Sequence, residues 1–142
     1  MKNKLLTIAY VSLLSVGYVQ VTSADVQHGK NTCSLKTLKG SYMYASSGTS
    51  SLSGAIVDYS DAGIATYDGH GNFTDSVSVN GDPTVSNYIG TYTVNRNCTG
   101  TLTYTTDDTH YNIFVSPDGS ILNFVQTDAG TNISGEEKRV AK

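Results

Sequence analysis

Short segments in which apolar and polar residues alternate, separated by turn residues, dominate this chain and restrict the folds open to it. The clearest case is the stretch 87–106, in which two arms rich in Thr, Tyr and Val flank a turn at residues 95–97. The residues that share one face are Tyr88, Tyr92 and Val94 on the first arm, and Leu102 and Tyr104 on the second. Because Thr, Tyr and Val suit a pleated, half-buried surface, this stretch predicts a β-hairpin with Cys98 just past its turn.

Similar segments recur along the rest of the chain at intervals of about 8–12 residues, with Gly-, Asp- and Asn-rich turns between them and no convincing helix. The predicted strands outside the hairpin cover residues 41–45, 54–59, 63–67, 73–79, 109–116, 120–127 and 131–140, with 54–67 being either two strands or one strand with a bulge. The Ser- and Gly-rich stretch 46–53 predicts a flexible loop. Strand 120–127 is partly apolar on both faces, so we expect it to be covered on both sides.

This pattern predicts an all-β fold of about eight antiparallel strands. An up-and-down barrel is the favoured arrangement, because sequential hairpins with short turns produce it, and a β-sandwich is the alternative. A closed barrel of eight strands has no free edge and has room for one small ligand.

The first 24 residues have the features of a secretory signal peptide. A basic head at residues 1–4 precedes an apolar run over residues 5–19, and Thr22 and Ala24 are the small residues that a signal peptidase requires. The run of about 15 residues is shorter than the roughly 20 that a spanning helix needs, so no membrane span is expected after cleavage. We predict cleavage after Ala24, a lead-in segment at residues 25–39 that contains Cys33, and a single β-barrel domain at residues 40–142.

The predicted mature chain is acidic. All 12 Asp and Glu residues but only 7 of the 9 Lys and Arg residues follow Ala24, so the formal net charge of this part is −5. Binding to phosphate groups depends on clustered Lys and Arg. Nucleic acid and anionic membranes are therefore not expected as partners.

Cys33 and Cys98 are the two cysteines of the chain, and cysteines of exported domains usually pair. We predict a disulfide that joins the lead-in to the central hairpin. It would close a loop of about 65 residues and, through chain entropy, stabilise the fold by about 4 kcal/mol. A reactive thiol and a metal site are the alternatives, but no His or Lys adjoins either cysteine and no second Cys or His stands at ligand spacing.

Three stretches carry a resemblance to known proteins. They are Cys33-Ser-Leu-Lys-Thr-Leu-Lys-Gly-Ser-Tyr42, Tyr67-Asp-Gly-His-Gly-Asn-Phe-Thr74 and Gly90-Thr-Tyr-Thr-Val-Asn-Arg-Asn-Cys-Thr-Gly-Thr101. Together they resemble a group of small exported bacterial proteins, most of them uncharacterised, and the match extends from Cys33 to about Gly135. The group is similar to lipocalin-like and allene-oxide-cyclase-like barrels in its strand pattern. The resemblance implies the barrel fold, and no catalytic residue is carried over from it.

The stretch Asp-Gly-His-Gly-Asn at residues 68–72 is the strongest turn signal in the chain. The oxygen atoms of Asp68 and Asn72 suit Ca²⁺, but a calcium loop needs more carboxylates and a closing Glu. Asp-Gly and Gly-Asn are also the pairs that a hairpin turn requires. We interpret the stretch as a turn, with calcium binding as the alternative.

The three histidines, His28, His70 and His110, are scattered along the sequence. Their spacing does not predict a metal site, and neither a metal nor a cofactor is expected. His110, next to Asp107 and Asp108, has the setting of a general base oriented by a carboxylate. An exposed turn accounts for the same residues without chemistry.

Tyrosine is the most unusual feature of the composition, with eight tyrosines after Ala24 and no Trp. Six of them occupy strand positions that can share the inward face: Tyr42, Tyr44, Tyr88, Tyr92, Tyr104 and Tyr111. They either fill a small core, with their hydroxyls at an edge or in water, or line a pocket for a planar or sugar-like ligand.

Asp75 falls on the apolar face of its strand, which marks a strand end, a different register or a functional carboxylate. With Asn112 and Asn123 it would supply the polar groups of the pocket.

These observations predict a secreted or periplasmic protein that binds or interacts rather than catalyses, and that holds a small apolar or aromatic ligand in a Tyr-lined barrel. Export makes a role toward a host or competitor, through a protein partner outside the cell, a further expectation. The first alternative is a barrel enzyme of the cyclase or isomerase type that uses Tyr and Asp as acid and base. The second is an adhesive or structural module that uses the outward threonines, which are Thr91, Thr93, Thr101, Thr103 and Thr105.

Overall fold

The computed structural model describes residues 32–142, in which eight antiparallel strands close into a barrel. The predicted signal peptide, most of the lead-in and His28 lie outside the described residues. A 3₁₀ turn, Leu35–Thr37, precedes the strands β1 (Lys39–Leu52), β2 (Ala55–Asp68), β3 (Asn72–Val79), β4 (Ser86–Tyr92), β5 (Thr99–Tyr104), β6 (His110–Val115), β7 (Ile121–Gln126) and β8 (Thr131–Ala141). Each strand pairs with the next in sequence and β8 pairs with β1, which confirms the up-and-down barrel over the sandwich.

The first hairpin is longer than the sequence indicated. The predicted loop at residues 46–53 is wrong, because residues 46–52 pair with β2 and residues 46–50 also pair with β8. The predicted break between residues 59 and 63 is also wrong, since β2 is continuous and its register with β1 shows no bulge. Only Ser53 and Gly54 separate the two strands.

The polar composition of β1 has a packing reason. Ser46 is buried and its hydroxyl donates to the carboxylate of Asp61, which lies directly opposite on β2. A Cβ at Gly48 would lie 1.8 Å from the carbonyl oxygen of Asn132 on β8, so the close approach of these strands requires glycine. Ser and Gly are therefore strand residues here because of what stands opposite them.

Inward-facing glycines also make room for the large rings of the core. A Cβ at Gly90 would lie 2.2 Å from the ring of Phe73, and one at Gly135 would lie 2.5 Å from the ring of Phe124. Both aromatic rings are buried. An eight-stranded barrel has just enough interior width for side chains, so a large ring on one strand needs a small residue on its neighbour.

The outer surface of the barrel is open to solvent over β6 and β7. Phe114 is 54% exposed and Val125 is 47% exposed. The expectation that residues 120–127 are covered on both sides is therefore wrong. The threonines of β4 and β5 also face outward, and just after β4 the hydroxyl of Thr93 hydrogen bonds to that of Thr101 on β5 at 2.9 Å.

The lead-in closes one end of the barrel. Cys33 and Cys98 form the predicted disulfide, which ties the lead-in to the β4–β5 turn. Leu35 reaches the β2–β3 turn at Gly71, and Leu38 is fully buried in the core. The residues of the lead-in that the structure describes are thus part of the folded domain.

Two tyrosines and an arginine fasten this closed end. The hydroxyl of Tyr92 donates to the carbonyl oxygens of Leu35 and Leu38, at 3.0 and 2.9 Å. The hydroxyl of Tyr42 donates to the carbonyl oxygen of Gly119 and accepts from the guanidinium of Arg139 at 2.8 Å. The same guanidinium donates to the carbonyl oxygen of residue 37 at 2.7 Å, so the arginine joins β8 to the lead-in.

Candidate ligand-binding cavity

The other end of the barrel contains a cavity of about 190 Å³. Its lining comes from all eight strands and from the chain between β5 and β6. The lining residues are Tyr44, Ser50, Tyr59, Asp61, Asp75, Val77, Val79, Tyr88, Tyr104, Asp107, Thr109, Tyr111, Gln126 and Ile133. The barrel interior is therefore divided into a filled half next to the lead-in and a half with free space.

The structure brings five of the seven predicted ligand-binding residues together around this cavity. These five are Tyr44, Asp75, Tyr88, Tyr104 and Tyr111. Tyr42 and Tyr92 also face inward but lie in the filled half, where they hold the lead-in. Asn112 and Asn123 are exposed on the outer surface, so the expectation that they face the pocket is wrong.

Asp75 is the central polar group of the cavity. The hydroxyls of Tyr44 and Tyr104 donate to its Oδ2 at 2.8 and 2.7 Å. Its side chain is almost completely buried, with 2% of the residue exposed, and Oδ1 has no hydrogen-bond partner among the described residues. Burial raises the pKa of the Asp75 carboxyl, the two tyrosine hydrogen bonds lower it, and the charge of Asp61 raises it further. The sequence had marked this residue as out of place on an apolar face.

Asp61 and Tyr59 were missed by the sequence analysis. The hydroxyl of Tyr59 donates to Asp61 Oδ2 at 2.8 Å, and the hydroxyl of Ser46 donates to Oδ1. The signal that could have found them is the period of two along β2, which places Tyr59 and Asp61 on the same face as Tyr67. Because the sequence analysis allowed a break at residues 60–62, the two residues were not assigned to the inward face.

Glu137 is a third carboxyl group in the interior and was also missed. It borders a narrow inner extension of the cavity, together with Tyr44, Asp61 and Tyr104. The hydroxyl of Tyr67 lies 3.1 and 3.0 Å from its two oxygens. Burial raises the pKa of Glu137 to about 8, against the lowering effect of this hydrogen bond, and the nearby charge of Asp75 adds to the rise.

The tyrosine rings around the cavity pack edge to face. The rings of Tyr88 and Tyr104 are 5.8 Å apart at 87°, and those of Tyr104 and Tyr111 are 6.0 Å apart at 66°. Burial first, and then neighbouring negative charges, raises the pKa of Tyr44, Tyr104 and Tyr111 well above its ordinary value. At neutral pH these hydroxyls are therefore protonated, and they act as hydrogen-bond groups.

The stretch 68–72 is a turn whose carboxylate is already engaged. Asp68 Oδ1 accepts from the backbone N–H groups of His70 and Asn72 at 2.6 and 3.0 Å, and Oδ2 accepts from the Asn72 side chain at 2.7 Å. These hydrogen bonds lower the pKa of Asp68 to about 2. Within residues 32–142, no group of three or more His, Cys, Asp and Glu side chains is placed to hold a metal ion.

His110 lies at the rim of the barrel and does not line the cavity. Its Nδ1 is 2.9 Å from Asp128 Oδ1, and its Nε2 is 3.5 Å from Asp108 Oδ1. The hydrogen bond with Asp128 raises the pKa of His110. The carboxylate that orients this histidine thus comes mainly from the β7–β8 turn, not from the neighbouring Asp107 and Asp108.

The fold and the cavity define a closed eight-stranded antiparallel barrel with a carboxylate-bearing cavity at one end. No protein-family model matches the chain, and no curated protein matches it in sequence. In the part of the chain that the structure describes, no helix has the length and apolar character needed to cross a membrane.

Proposed function

We propose that the chain is an exported binding protein that holds one small ligand in the open half of its barrel. The observation that carries this proposal is the cavity of about 190 Å³, on which tyrosine hydroxyls and carboxylates converge while the other half of the interior is filled. An apolar protein cavity of about 150 Å³ accommodates benzene. The space therefore suits a ligand with a single ring and a short substituent.

Two features support export to the periplasm or the exterior. The signal-peptide features of the first 24 residues are those of a secreted protein. The Cys33–Cys98 disulfide belongs to oxidising compartments. Export is the one feature that supports a role toward a host or competitor.

Binding accounts for the cavity better than catalysis does. The phenol groups of Tyr44 and Tyr104 donate hydrogen bonds to Asp75, and their pKa values are raised. They therefore hold the Asp75 carboxylate in place and do not exchange protons near pH 7. The barrel enzyme and the adhesive module that uses the outward threonines stay predictions.

The test is native mass spectrometry of the protein purified from its own culture, compared with the same sample after denaturation. Two matched variants locate the ligand. Val79→Phe adds a ring to the cavity lining, and Val125→Phe adds the same ring to the exposed outer face. Circular dichroism and thermal unfolding of both variants confirm that each one folds.

We expect an extra mass that disappears on denaturation, is lost in Val79→Phe and persists in Val125→Phe. A bare wild-type protein would overturn the proposal and move the search to a macromolecular partner. A mass that persists in the folded Val79→Phe variant would place the ligand elsewhere on the molecule.

A further inference from the structure

The lining of the cavity is acidic and includes no basic side chain among the described residues. Asp61, Asp75 and Asp107 line it, and Glu137 borders its inner extension. None of the Lys, Arg and His residues that the structure describes lines it. Two of them are partly buried: Arg139 is engaged at the closed end, and His110 pairs with Asp128 at the rim.

Asp75 has a hydrogen-bonding capacity that the protein does not use. Oδ2 accepts from two tyrosine hydroxyls, whereas Oδ1 is buried without a partner among the described residues. A buried carboxylate oxygen without a donor is costly, because its hydration is lost and not replaced. A ligand in the cavity that brings a cationic N–H donor next to the Asp75 carboxylate would offset this cost.

The aromatic lining favours an N–H donor that also carries a positive charge. The faces of tyrosine rings carry negative potential and attract cations within about 6 Å. The rings of Tyr88, Tyr104 and Tyr111 line the cavity together with Asp75. An anionic ligand would face the carboxylates, and an uncharged apolar ligand would leave Oδ1 unsatisfied.

We infer that the ligand is a small aromatic amine whose protonated ammonium group pairs with the Asp75 carboxylate while its ring lies among the tyrosines. This inference rests on the proposed function, since it names the ligand class of the same cavity. It requires an ammonium that carries N–H, because a quaternary ammonium brings the charge without the donor.

Four probes that share one ring and a chain of similar length separate these contributions. They are 2-phenylethylamine, 2-phenylethanol, 3-phenylpropanoate and 2-phenylethyl-trimethylammonium, titrated calorimetrically into the protein at pH 7. We expect the amine to bind at least 10-fold more tightly than the alcohol and the trimethylammonium, and the propanoate to bind most weakly. This ranking is measured on the unmodified protein, so it does not depend on the folding of a variant.

Two variants with the same change of charge identify the carboxylate. Asp75→Asn removes the negative charge and replaces one of the two acceptor oxygens with an NH2 donor. Asp58→Asn removes the charge of an exposed carboxylate of β2 that does not line the cavity. The preference for amine over alcohol should fall below 3-fold in the first variant and stay unchanged in the second.

The two proposals fail in different ways. Equal binding of amine and alcohol, or an unchanged preference in folded Asp75→Asn, overturns the amine assignment and leaves the cavity as a binding site. If native mass spectrometry shows a ligand but none of the probes binds, the amine assignment is also overturned and the cavity remains a binding site. If native mass spectrometry shows a bare protein and no probe binds, both proposals are overturned.

Discussion

The buried carboxyl of Glu137 makes the stability of this protein depend on pH in a direction opposite to that of most proteins with paired carboxylates. The residue is 4% exposed, and burial raises its pKa from the ordinary 4.5 to about 8. A pKa that is higher in the folded state means that folding favours the protonated carboxyl. The stability contribution is therefore complete below about pH 4.5, declines as the pH rises toward 8, and is absent above that value.

The magnitude follows from the same values. Each pKa unit corresponds to about 1.4 kcal/mol, so the free energy of unfolding should fall by about 5 kcal/mol across this window because of Glu137. Domains of this size have total stabilities of about 5–15 kcal/mol. The loss is therefore large enough to measure directly.

Glu137→Gln isolates the effect, because the amide keeps an acceptor for the Tyr67 hydroxyl and cannot ionise. Urea unfolding, followed by circular dichroism with the disulfide intact, would be measured for variant and wild type from pH 4 to pH 9. The difference in unfolding free energy, variant minus wild type, should rise by about 5 kcal/mol between about pH 4.5 and 8. Because other titrating groups are common to both proteins, the difference removes their contributions.

Glu136→Gln is the matched control. Glu136 faces outward, where its carboxylate pairs with the ammonium of Lys138 at 3.0 Å. Exposed ion pairs contribute about 0–1 kcal/mol, so its difference from wild type should stay nearly flat with pH. A flat profile for Glu137→Gln as well would refute the argument, since it would mean that the buried carboxyl does not resist ionisation.

Two further predictions concern the filled half and the packing of the barrel. Tyr42→Phe removes the hydroxyl that joins Arg139 to the carbonyl oxygen of Gly119, so it should lower the free energy of unfolding by about 1–3 kcal/mol. The bound mass in native mass spectrometry should persist. Loss of the ligand in the folded variant would place Tyr42 in the binding site. Gly90→Ala puts a Cβ 2.2 Å from the Phe73 ring and 2.4 Å from the carbonyl oxygen of Thr103, so it should destabilise by about 1–3 kcal/mol in urea unfolding, and an unchanged midpoint would contradict the packing argument.

The number and order of the strands could be predicted because local signals agreed with the fold. Turn residues such as Pro117 and Gly119 separate segments with a period of two. Each segment is one strand of the barrel, except that 54–59 and 63–67 together form β2. The segment 46–53 failed because its strand character is not local. Ser46 and Gly48 are fixed by Asp61 and by the backbone of β8, and neither partner is visible in the segment itself.

The inward direction of the cavity residues was predictable, but their depth was not. Tyr42 and Tyr44 are two residues apart on the same face, and alternation treats them alike. Tyr42 lies in the filled half and Tyr44 lines the cavity, because the lead-in occupies the end of the barrel where Tyr42 lies and leaves the other end open. Asp75 was detectable as a violation of the apolar pattern, and such violations concentrate at functional sites.

The two halves of the interior use tyrosine hydroxyls in different ways, and this contrast bears on function. In the closed half, the hydroxyls of Tyr42 and Tyr92 donate to main-chain carbonyl oxygens, which are neutral acceptors that the fold needs to satisfy. Toward the open half, tyrosine hydroxyls donate to Asp61, Asp75 and Glu137. Stability alone does not account for these carboxylates, because apolar residues of similar volume at buried charged positions are often neutral or stabilising. The barrel retains two buried carboxyl groups, Asp75 and Glu137, and the partly buried Asp61 beside an open cavity. These groups lower the stability of the free protein, and a ligand that complements them would raise it.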